Sequence, residues 1–299
     1  MKKILVILTA MTMIATIGTA TTPEFNQNQD ADATVVNTPP WIVDGWIVIL
    51  NQEGVEVWNQ TDPGNSSRAD SYIWESEKLV VYAIIHDDNG ESDLWQHAVE
   101  AYLSPADNFV TDLALVYFTN DNKTEALFKG EKLIPGPDIW QCDHDVYIED
   151  TDKYGATATN SPYTIFYPLY INPEMSSTFT PDRIKWTDLH AGDKDVPADT
   201  NTHIEHVYAQ CNDIPVYVNY ELWIHGTDLE GGIGTSHVIP CENVEYSYLN
   251  GPWTSLTNGE VYLGEHVSCE NISFDFRITV PWIEPGDYFG EVGFGIKAT

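Results

Sequence analysis

The seven residues 87–93 are the densest run of oxygen ligands in this sequence, and they read Asp-Asp-Asn-Gly-Glu-Ser-Asp. Ca²⁺ takes about six to eight oxygen ligands in a flexible arrangement, and a glycine lets a short loop turn around the ion. The run therefore predicts a Ca²⁺ site formed by Asp87, Asp88, Asn89, Glu91 and Asp93. The bidentate glutamate that closes an EF-hand is missing, because Ala98 stands at its position. A solvated turn between two strands is the alternative interpretation.

Two histidine clusters have the residue types of a transition-metal site. The first, residues 143–145, reads Asp-His-Asp, and the second contains His203, Glu205 and His206. Imidazole combined with carboxylate suits zinc or copper. On a strand, however, His203 and Glu205 share one face while His206 points to the other, so only two of the three can converge. We therefore favour polar strand residues without a metal.

No familiar catalytic motif accompanies these clusters. The chain contains no H-E-x-x-H, no G-x-S-x-G, no phosphate-binding glycine loop and no dinucleotide-binding glycine motif. With 46 acidic residues, some carboxylates will always lie close together, so a carboxylate pair is not evidence for glycoside hydrolysis. We expect that the protein is not an enzyme.

The aromatic content raises a carbohydrate-binding alternative. The chain has ten tryptophans, and Trp223, Trp253 and Trp282 could form a platform on which sugar rings stack. Packing in the core or between domains is the more common use of tryptophan. An adhesin module that binds glycans is therefore the second functional hypothesis.

The cysteines and the glycosylation sequons suit an exported protein. The even number of four cysteines favours disulfides in an oxidising compartment, and three pairings are possible. We favour Cys241 with Cys269 and Cys142 with Cys211, because both pairs then fall within the second predicted domain. N-x-S/T sequons, which are candidate glycosylation sites, begin at Asn59, Asn65, Asn122 and Asn271.

Charge and the N-terminal residues define the compartment that we expect. Residues 1–20 read as a secretory signal peptide, with two lysines before an apolar run and small residues at its end. No later apolar run approaches the roughly 20 residues that span a bilayer, so we expect no membrane span. The 46 acidic and 13 basic residues give a formal charge of −33, which would repel nucleic acid.

Short alternating apolar runs predict an all-β fold. In residues 272–280, for example, Ile, Phe, Phe, Ile and Val alternate with polar residues. Residues 21–40 read as a polar, flexible tail. The rigid Pro-Gly-Pro at 135–137 favours a boundary, which gives one domain over 41–135 and a larger one over 136–299. Residues 92–103 fit either a helix or a strand by spacing.

Motifs in the second half of the chain carry a family resemblance. They are Gln210-Cys211-Asn212-Asp213-Ile214-Pro215-Val216, Gly226-Thr227-Asp228-Leu229, Ile239-Pro240 and Asn243-Val244-Glu245-Tyr246. In this order they resemble secreted archaeal proteins of the surface-layer and filament type. Residues 81–103 and the closing segment 280–290 are similar to other parts of the same domains. The resemblance implies two Ig-like antiparallel β-sandwich domains in tandem, favours a strand rather than a helix over residues 92–103, and implies a role in the cell envelope.

These observations together predict a structural subunit of an extracellular filament, sheath or surface layer. Its partners would be further copies of itself or other envelope proteins, or glycans under the adhesin alternative. Assembly by strand exchange is a specific form of this hypothesis, in which Thr34, Val35 and Val36 of one subunit add to an open sheet edge of the next. A disordered leader is the alternative interpretation of that tail.

Overall fold

Strands dominate residues 36–104, 108–200, 202–232 and 236–299, which are the residues that the structure, a computed structural model, describes. The first sheet contains nine strands: β1 (Trp41–Leu50), β2 (Glu56–Asn59), β3 (Tyr72–Ile73), β4 (Lys78–His86), β5 (Ala98–Ser104), β6 (Asn108–Phe118), β7 (Glu125–Leu133), β8 (Cys142–Thr151) and β9 (Tyr163–Ile171). Their order is β2-β1-β4-β7-β6-β5-β8-β9-β3. Neighbours run antiparallel except β3 and β9, which are parallel.

The long strand β6 lets this sheet fold over into two layers. Its residues up to Leu113 pair with β5, and those from Ala114 onward pair with β7. Gly45 on β1 lies against the side chain of Ile148 on β8, which brings β1 over the second layer. A single hydrophobic cluster fills the space between the layers, with members that include Ile47, Val81, Phe128, Val99, Ile148 and Ile165. The first sheet is thus a sandwich around one core.

Thirteen strands follow in the second half of the described chain: β10 (Glu174–Thr180), β11 (Val196–Pro197), β12 (His203–Cys211), β13 (Ile214–Pro215), β14 (Asn219–Gly226), β15 (Leu229–Gly231), β16 (Val238–Ile239), β17 (Val244–Tyr248), β18 (Trp253–Ser255), β19 (Val261–Val267), β20 (Asn271–Ile278), β21 (Tyr288–Phe289) and β22 (Val292–Ala298). The main sheet has the order β10-β12-β20-β17-β18, with β11 beside β20 and β13 beside β12. Two smaller sheets have the orders β19-β14-β22 and β16-β15-β21.

The core of this half follows the alternation that the sequence predicts. Ile272, Phe274, Phe276 and Ile278 on β20 are all buried, whereas the residues between them are partly exposed. They share one cluster with buried residues of β14, which lies in a different sheet. Every second side chain therefore enters a core between two sheets.

Helical structure in the described residues is limited to single turns. They are α1 (Glu91–Leu94) and 3-10 turns at Pro63–Asn65 and Cys241–Asn243. The all-β prediction is confirmed. For residues 92–103, the strand prediction is confirmed only in part, because α1 ends at Leu94 and β5 begins at Ala98. None of the described helices is long and apolar enough to cross a membrane.

The boundary predicted between residues 135 and 136 does not coincide with a sheet edge. β8 and β9 lie beyond that boundary, yet β8 pairs with β5, β9 pairs with β8, and both belong to the first sheet. The Pro-Gly-Pro segment therefore breaks a connection within the first sheet, and the change of sheet comes after Ile171. Residues 37–299 form one compact unit, and the division into two Ig-like domains stays a prediction.

Candidate functional site

The loop after β4 turns sharply enough to bring distant acids together. The backbone N–H of Asn89 donates to Asp87 Oδ1 at 2.6 Å, which is the local bond of an Asx turn. Gly90 follows with φ of 79°, a left-handed conformation that glycine adopts without a steric cost. The single turn α1 then starts, with the Leu94 N–H donating to the Gly90 carbonyl. As a result, the buried Asp93 returns to the vicinity of the buried Asp87.

Asp87, Asp93 and His97 form the centre of the site, which we call the acidic cluster. Each residue offers one ligand atom, and these atoms lie within 4.8 Å of one another. His97 Nε2 is 3.0 Å from Asp87 Oδ2, and His97 Nδ1 is 2.9 Å from Asp150 Oδ1. The side chains of Asp87, His97 and Asp150 are fully buried. Asp93 is also fully buried, and its Oδ1 has no hydrogen-bond partner.

Residues before β1 cover the acidic cluster. Asn37 Nδ2 donates to Asp152 Oδ2 at 2.6 Å, and Asn89 Nδ2 donates to Asn37 Oδ1 at 2.6 Å. Asn89 Nδ2 also lies 3.2 Å from Asp93 Oδ2. Asp152 is held by the backbone, because its Oδ1 accepts from the N–H groups of Tyr154 and Ala156 at 2.8 Å. These contacts thus join Asn37, near the start of the described residues, to the ends of β4 and β8.

Burial and pairing shift the pKa values of this group in opposite directions. Burial raises the pKa of the Asp87 and Asp150 carboxyls. For His97, burial alone would lower the pKa, but the hydrogen bonds and charges of Asp150 and Asp87 outweigh it, so the pKa is raised. Two effects also oppose each other at Asp152. Burial alone would raise its pKa, but hydrogen bonds from Asn37 and the backbone outweigh burial, so the pKa of Asp152 is lowered. These shifts favour the retention of a proton among Asp87, His97 and Asp150.

The structure brings together three of the five residues predicted to bind Ca²⁺. Asp87, Asn89 and Asp93 meet in the acidic cluster. Asp88 and Glu91 do not join the cluster, contrary to the prediction. Asp88 is exposed and its Oδ1 lies 3.2 Å from His86 Nε2, while Glu91 Oε2 lies 2.7 Å from Lys123 Nζ. The turn that gathers the first group directs these two side chains outward. Binding of Ca²⁺ stays a prediction.

Sequence reasoning missed the contributions of His97, Asp150, Asn37 and Asp152. Asp150 reaches the site because β8 pairs with β5 in a register that sets it opposite Val99. Nothing in the sequence near residue 150 indicates this register. His97 comes only four residues after Asp93 in the sequence, and this short separation was the one feature that could have assigned His97 to the site.

The other histidine clusters do not join this site. His203 and Glu205 are both buried on one face of β12, as the strand alternation predicts. His206 points to the other side, where its Nδ1 contacts Asn271 Oδ1. In the first cluster, His144 Nδ1 lies 2.9 Å from the carbonyl oxygen of Ser104. These partners are those of ordinary strand histidines.

The fold does not permit the predicted Cys241–Cys269 disulfide. Cys241 precedes β17, whose Val244 pairs with Ile278 at one end of β20, while Cys269 precedes Asn271 at the other end. The seven residue steps between those ends span about 23 Å. A disulfide requires Cα atoms within about 7 Å. Both residues are thiols in this structure.

Cys142 and Cys211 lie together at the place where the two large sheets meet. They belong to one buried cluster that also contains Tyr72, Tyr170, Ala209, Val216 and Val218. Cys142 begins β8 of the first sheet, and Cys211 ends β12 of the second large sheet. The Cys142–Cys211 bridge stays a prediction, and it would join the two sheets rather than lie within one domain.

The predicted tryptophan platform is not assembled in the described structure. Trp223 packs beside Tyr262, Trp253 lies under the Arg277 guanidinium, and Trp282 covers Gly192. No ring contact among the described residues joins any two of the three tryptophans. Carbohydrate binding by this platform stays a prediction without support from the ring geometry.

The remaining predicted sites are the glycosylation sequons, which lie at the surface, and the strand-exchange residues, two of which are not among the described residues. Asn65, Asn122 and Asn271 are exposed and Asn59 is partly exposed, so the positions are accessible, and glycosylation stays a prediction. Thr34 and Val35 lie outside the described residues. Val36 is 77% exposed.

Comparison with known proteins gives distant structural likenesses. No protein-family model matches the chain, and no curated protein matches it. A chain named BspA_C_WT is 11% identical with a TM-score of 0.32, and the match covers 85% of this chain and 96% of that one. A chaperone-tip adhesin complex of CFA/I fimbriae biogenesis is 12% identical with a TM-score of 0.27, covering 88% and 92%.

A DUF4785 family protein from Legionella pneumophila is 14% identical with a TM-score of 0.22, covering 76% of this chain and 45% of that chain. The neighbours thus include a fimbrial adhesin complex, and no archaeal or surface-layer protein is evident among these three. TM-scores this low do not transfer a function. The archaeal surface-layer resemblance stays a prediction.

Proposed function

We propose that the protein is an exported structural component of the cell surface, which acts by packing against other proteins and not by catalysis. The observation that carries this proposal is an open sheet edge. β10 pairs with β12 along all seven of its residues and has no second neighbour strand in the described chain. Such an edge presents unpaired N–H and C=O groups to another chain.

The β10 edge lacks the features that usually prevent strand addition. Its pairing with β12 runs without a bulge, and residues 175–180 contain no charged residue and no proline. Met175 and Phe179 pack against the core, which holds the strand in place. Ser176, Thr178 and Thr180 are exposed on the opposite side. The edge is therefore rigid, regular and uncharged over most of its length, which suits β-augmentation.

The donor in this proposal is the tail of a second copy of the chain, residues 33–36. Its Thr-Val-Val sequence has high strand propensity. Directly after the tail, the described residue Asn37 hydrogen-bonds to Asp152 and Asn89, and a deletion that ends at residue 36 keeps these contacts. Strand exchange would then link subunits in a head-to-tail manner, which generates filaments when the rotation does not close.

A pair of nested deletions tests this proposal. We expect the exported protein to form filaments or larger oligomers, a variant without residues 21–36 to be a monomer, and a control without residues 21–32 to assemble like the parent. Light scattering coupled to size exclusion and negative-stain electron microscopy measure the outcome. Assembly that persists without residues 33–36 would exclude strand exchange. A parent protein that is monomeric at every concentration would exclude the homopolymer itself.

A further inference from the structure

We infer that Asp87, Asp93 and His97 bind one divalent metal ion of the kind that accepts imidazole, with Zn²⁺ as the best match. This site goes beyond the assembly role proposed above. The three ligand atoms already lie within 4.8 Å of one another. Zinc–ligand bonds of about 2.0 to 2.2 Å place neighbouring ligand atoms about 3 to 4 Å apart. Small side-chain adjustments would therefore complete the three protein ligands.

The unpartnered oxygen of Asp93 points independently to a ligand. Asp93 is completely buried, yet among the described residues its Oδ1 accepts no hydrogen bond, and its Oδ2 accepts a 3.2 Å hydrogen bond from Asn89. A buried carboxylate oxygen without a donor carries a large desolvation cost. A metal ion bound by this oxygen would remove that cost.

The imidazole of His97 is held in the orientation that metal-binding histidines require. Asp150 Oδ1 and Oδ2 lie 2.9 and 3.2 Å from its Nδ1, and its Nε2 is directed toward Asp87, where a bound metal ion would replace the Nε2 proton. Metal-binding histidines commonly donate their second ring N–H to a carboxylate, which fixes the tautomer and the ring plane. Asp150 is thus a positioning residue and not a ligand.

The donor set distinguishes this site from the Ca²⁺ loop that the sequence predicts. Two of the predicted oxygen donors, Asp88 and Glu91, face outward, and an imidazole nitrogen faces inward instead. Ca²⁺ binds oxygen, whereas imidazole suits Zn²⁺ and other transition metals. The charges also fit a divalent cation, because the site contains three carboxyl groups, those of Asp87, Asp93 and Asp150, and only one imidazole among the described residues.

Metal titration of the purified exported protein tests the inference. After treatment with a chelator and its removal, we expect one equivalent of Zn²⁺ to bind by calorimetry, and Co²⁺ to give a visible absorption spectrum that changes on His97→Gln. Asp93→Asn should weaken Zn²⁺ binding by about 100-fold or more. Asp150→Asn should weaken it by about 10- to 100-fold, the usual effect of losing such a partner.

Asp88→Asn is the matched control, because it removes the same charge from the same loop but from a side chain that faces solvent. We expect it to bind Zn²⁺ like the parent, and near-ultraviolet circular dichroism to show that all variants are folded. The inference is overturned if Zn²⁺ does not bind, if Asp93→Asn binds it unchanged, or if Ca²⁺ binds in preference and His97→Gln has no effect. If Asp93→Asn does not fold, the Co²⁺ spectrum of the parent and of Asp150→Asn decides the question.

Discussion

Two buried acids, Asp93 in the first half of the chain and Glu205 in the second, differ in the polar groups that surround them. Each has a carboxylate oxygen that is buried without a hydrogen-bond partner. Asp93 lies in the single helical turn α1 beside Asp87 and His97, and the ligand atoms of the three residues lie within 4.8 Å of one another. Glu205 lies in the middle of β12 and faces a hydrophobic core.

The difference between them is the number of polar neighbours that the backbone can supply. A turn collects side chains from consecutive residues, so Asp93 acquires a second acid and an imidazole. On a regular strand, successive side chains face opposite sides, so the same-face neighbours of Glu205 along β12 are one polar residue, His203, and one apolar residue, Val207. The neighbouring strand adds only a hydrogen bond from the Ser177 hydroxyl among the described contacts of the Glu205 carboxyl. Burial raises the pKa of Glu205, which favours the neutral acid. We infer that a buried acid in a turn can become a ligand, while burial of an acid on a core strand raises its pKa and favours its neutral form.

The largest expected effect comes from a buried charge that is fully paired. Arg68 and Glu77 form two hydrogen bonds of 2.6 and 2.7 Å, and their side chains are 4% and 6% exposed. We expect Arg68→Met to reduce the free energy of unfolding by about 3–5 kcal/mol, because it leaves Glu77 charged, buried and without its partner. Urea unfolding followed by fluorescence measures this loss.

Lys123→Met is the control for that prediction. Lys123 also pairs with a glutamate, Glu91, at 2.7 Å, but both side chains are nearly half exposed. An exposed pair of this kind contributes about 0–1 kcal/mol. Equal losses of unfolding free energy in Arg68→Met and Lys123→Met would mean that burial does not control the cost of an unpaired charge. The comparison between Asp93 and Glu205 assumes that it does, and would then fail.

The contact between the two large sheets offers the second test. If Cys142 and Cys211 are joined, non-reducing peptide mapping should recover one linked pair and two free thiols, Cys241 and Cys269. On the chain-entropy model, closing this loop stabilises the fold by about 4 kcal/mol. We expect Cys142→Ser to lower the stability of the oxidised protein by up to that amount, and Cys269→Ser to have a small effect.

A linked Cys241–Cys269 peptide would contradict the arrangement of β17 and β20. Reduction of the parent protein provides the control, because it should bring the parent to the stability of Cys142→Ser. This experiment sharpens the comparison of the two regions, since a covalent link would make them unfold together.

The smallest expected effect concerns Glu205 and depends on pH. Because its pKa is raised in the folded chain, the stabilisation by its proton is complete below the ordinary value of 4.5 and is lost as the pH rises through the raised value. Glu205→Gln does not titrate. We therefore expect this variant to resemble the parent near pH 4 and to be more stable at neutral pH, by on the order of 1 kcal/mol.

Thermal unfolding of parent and variant across pH 4 to 8 measures this difference. Glu221→Gln is a suitable control, because Glu221 is a partly exposed strand residue whose oxygen lies 3.6 Å from Lys297. A difference for Glu205→Gln that narrows toward neutral pH would show that the hydrogen bond with Ser177 compensates the buried carboxylate, and the contrast with Asp93 would disappear.

The sequence alone determined the strand content, the alternation in β20 and the oxygen-rich loop. These are local properties: period-two hydrophobicity predicts a strand with one buried face, and Asn-Gly between acids predicts a tight turn. The positions of Asp87, Asn89 and Asp93 followed from that turn. The outward directions of Asp88 and Glu91 did not, because side-chain direction within a loop depends on the exact backbone angles.

Only the tertiary structure decided which distant residues complete the site and which cysteines can meet. Asp150 joins His97 through the register of β5 and β8, and a shift of one residue would place it on the opposite face. The pairing of β17 with β20 separates Cys241 from Cys269, although fewer than 30 residues lie between them in the chain. Register and sheet order are set by the summed packing of whole strands, and short sequence patterns do not contain that information.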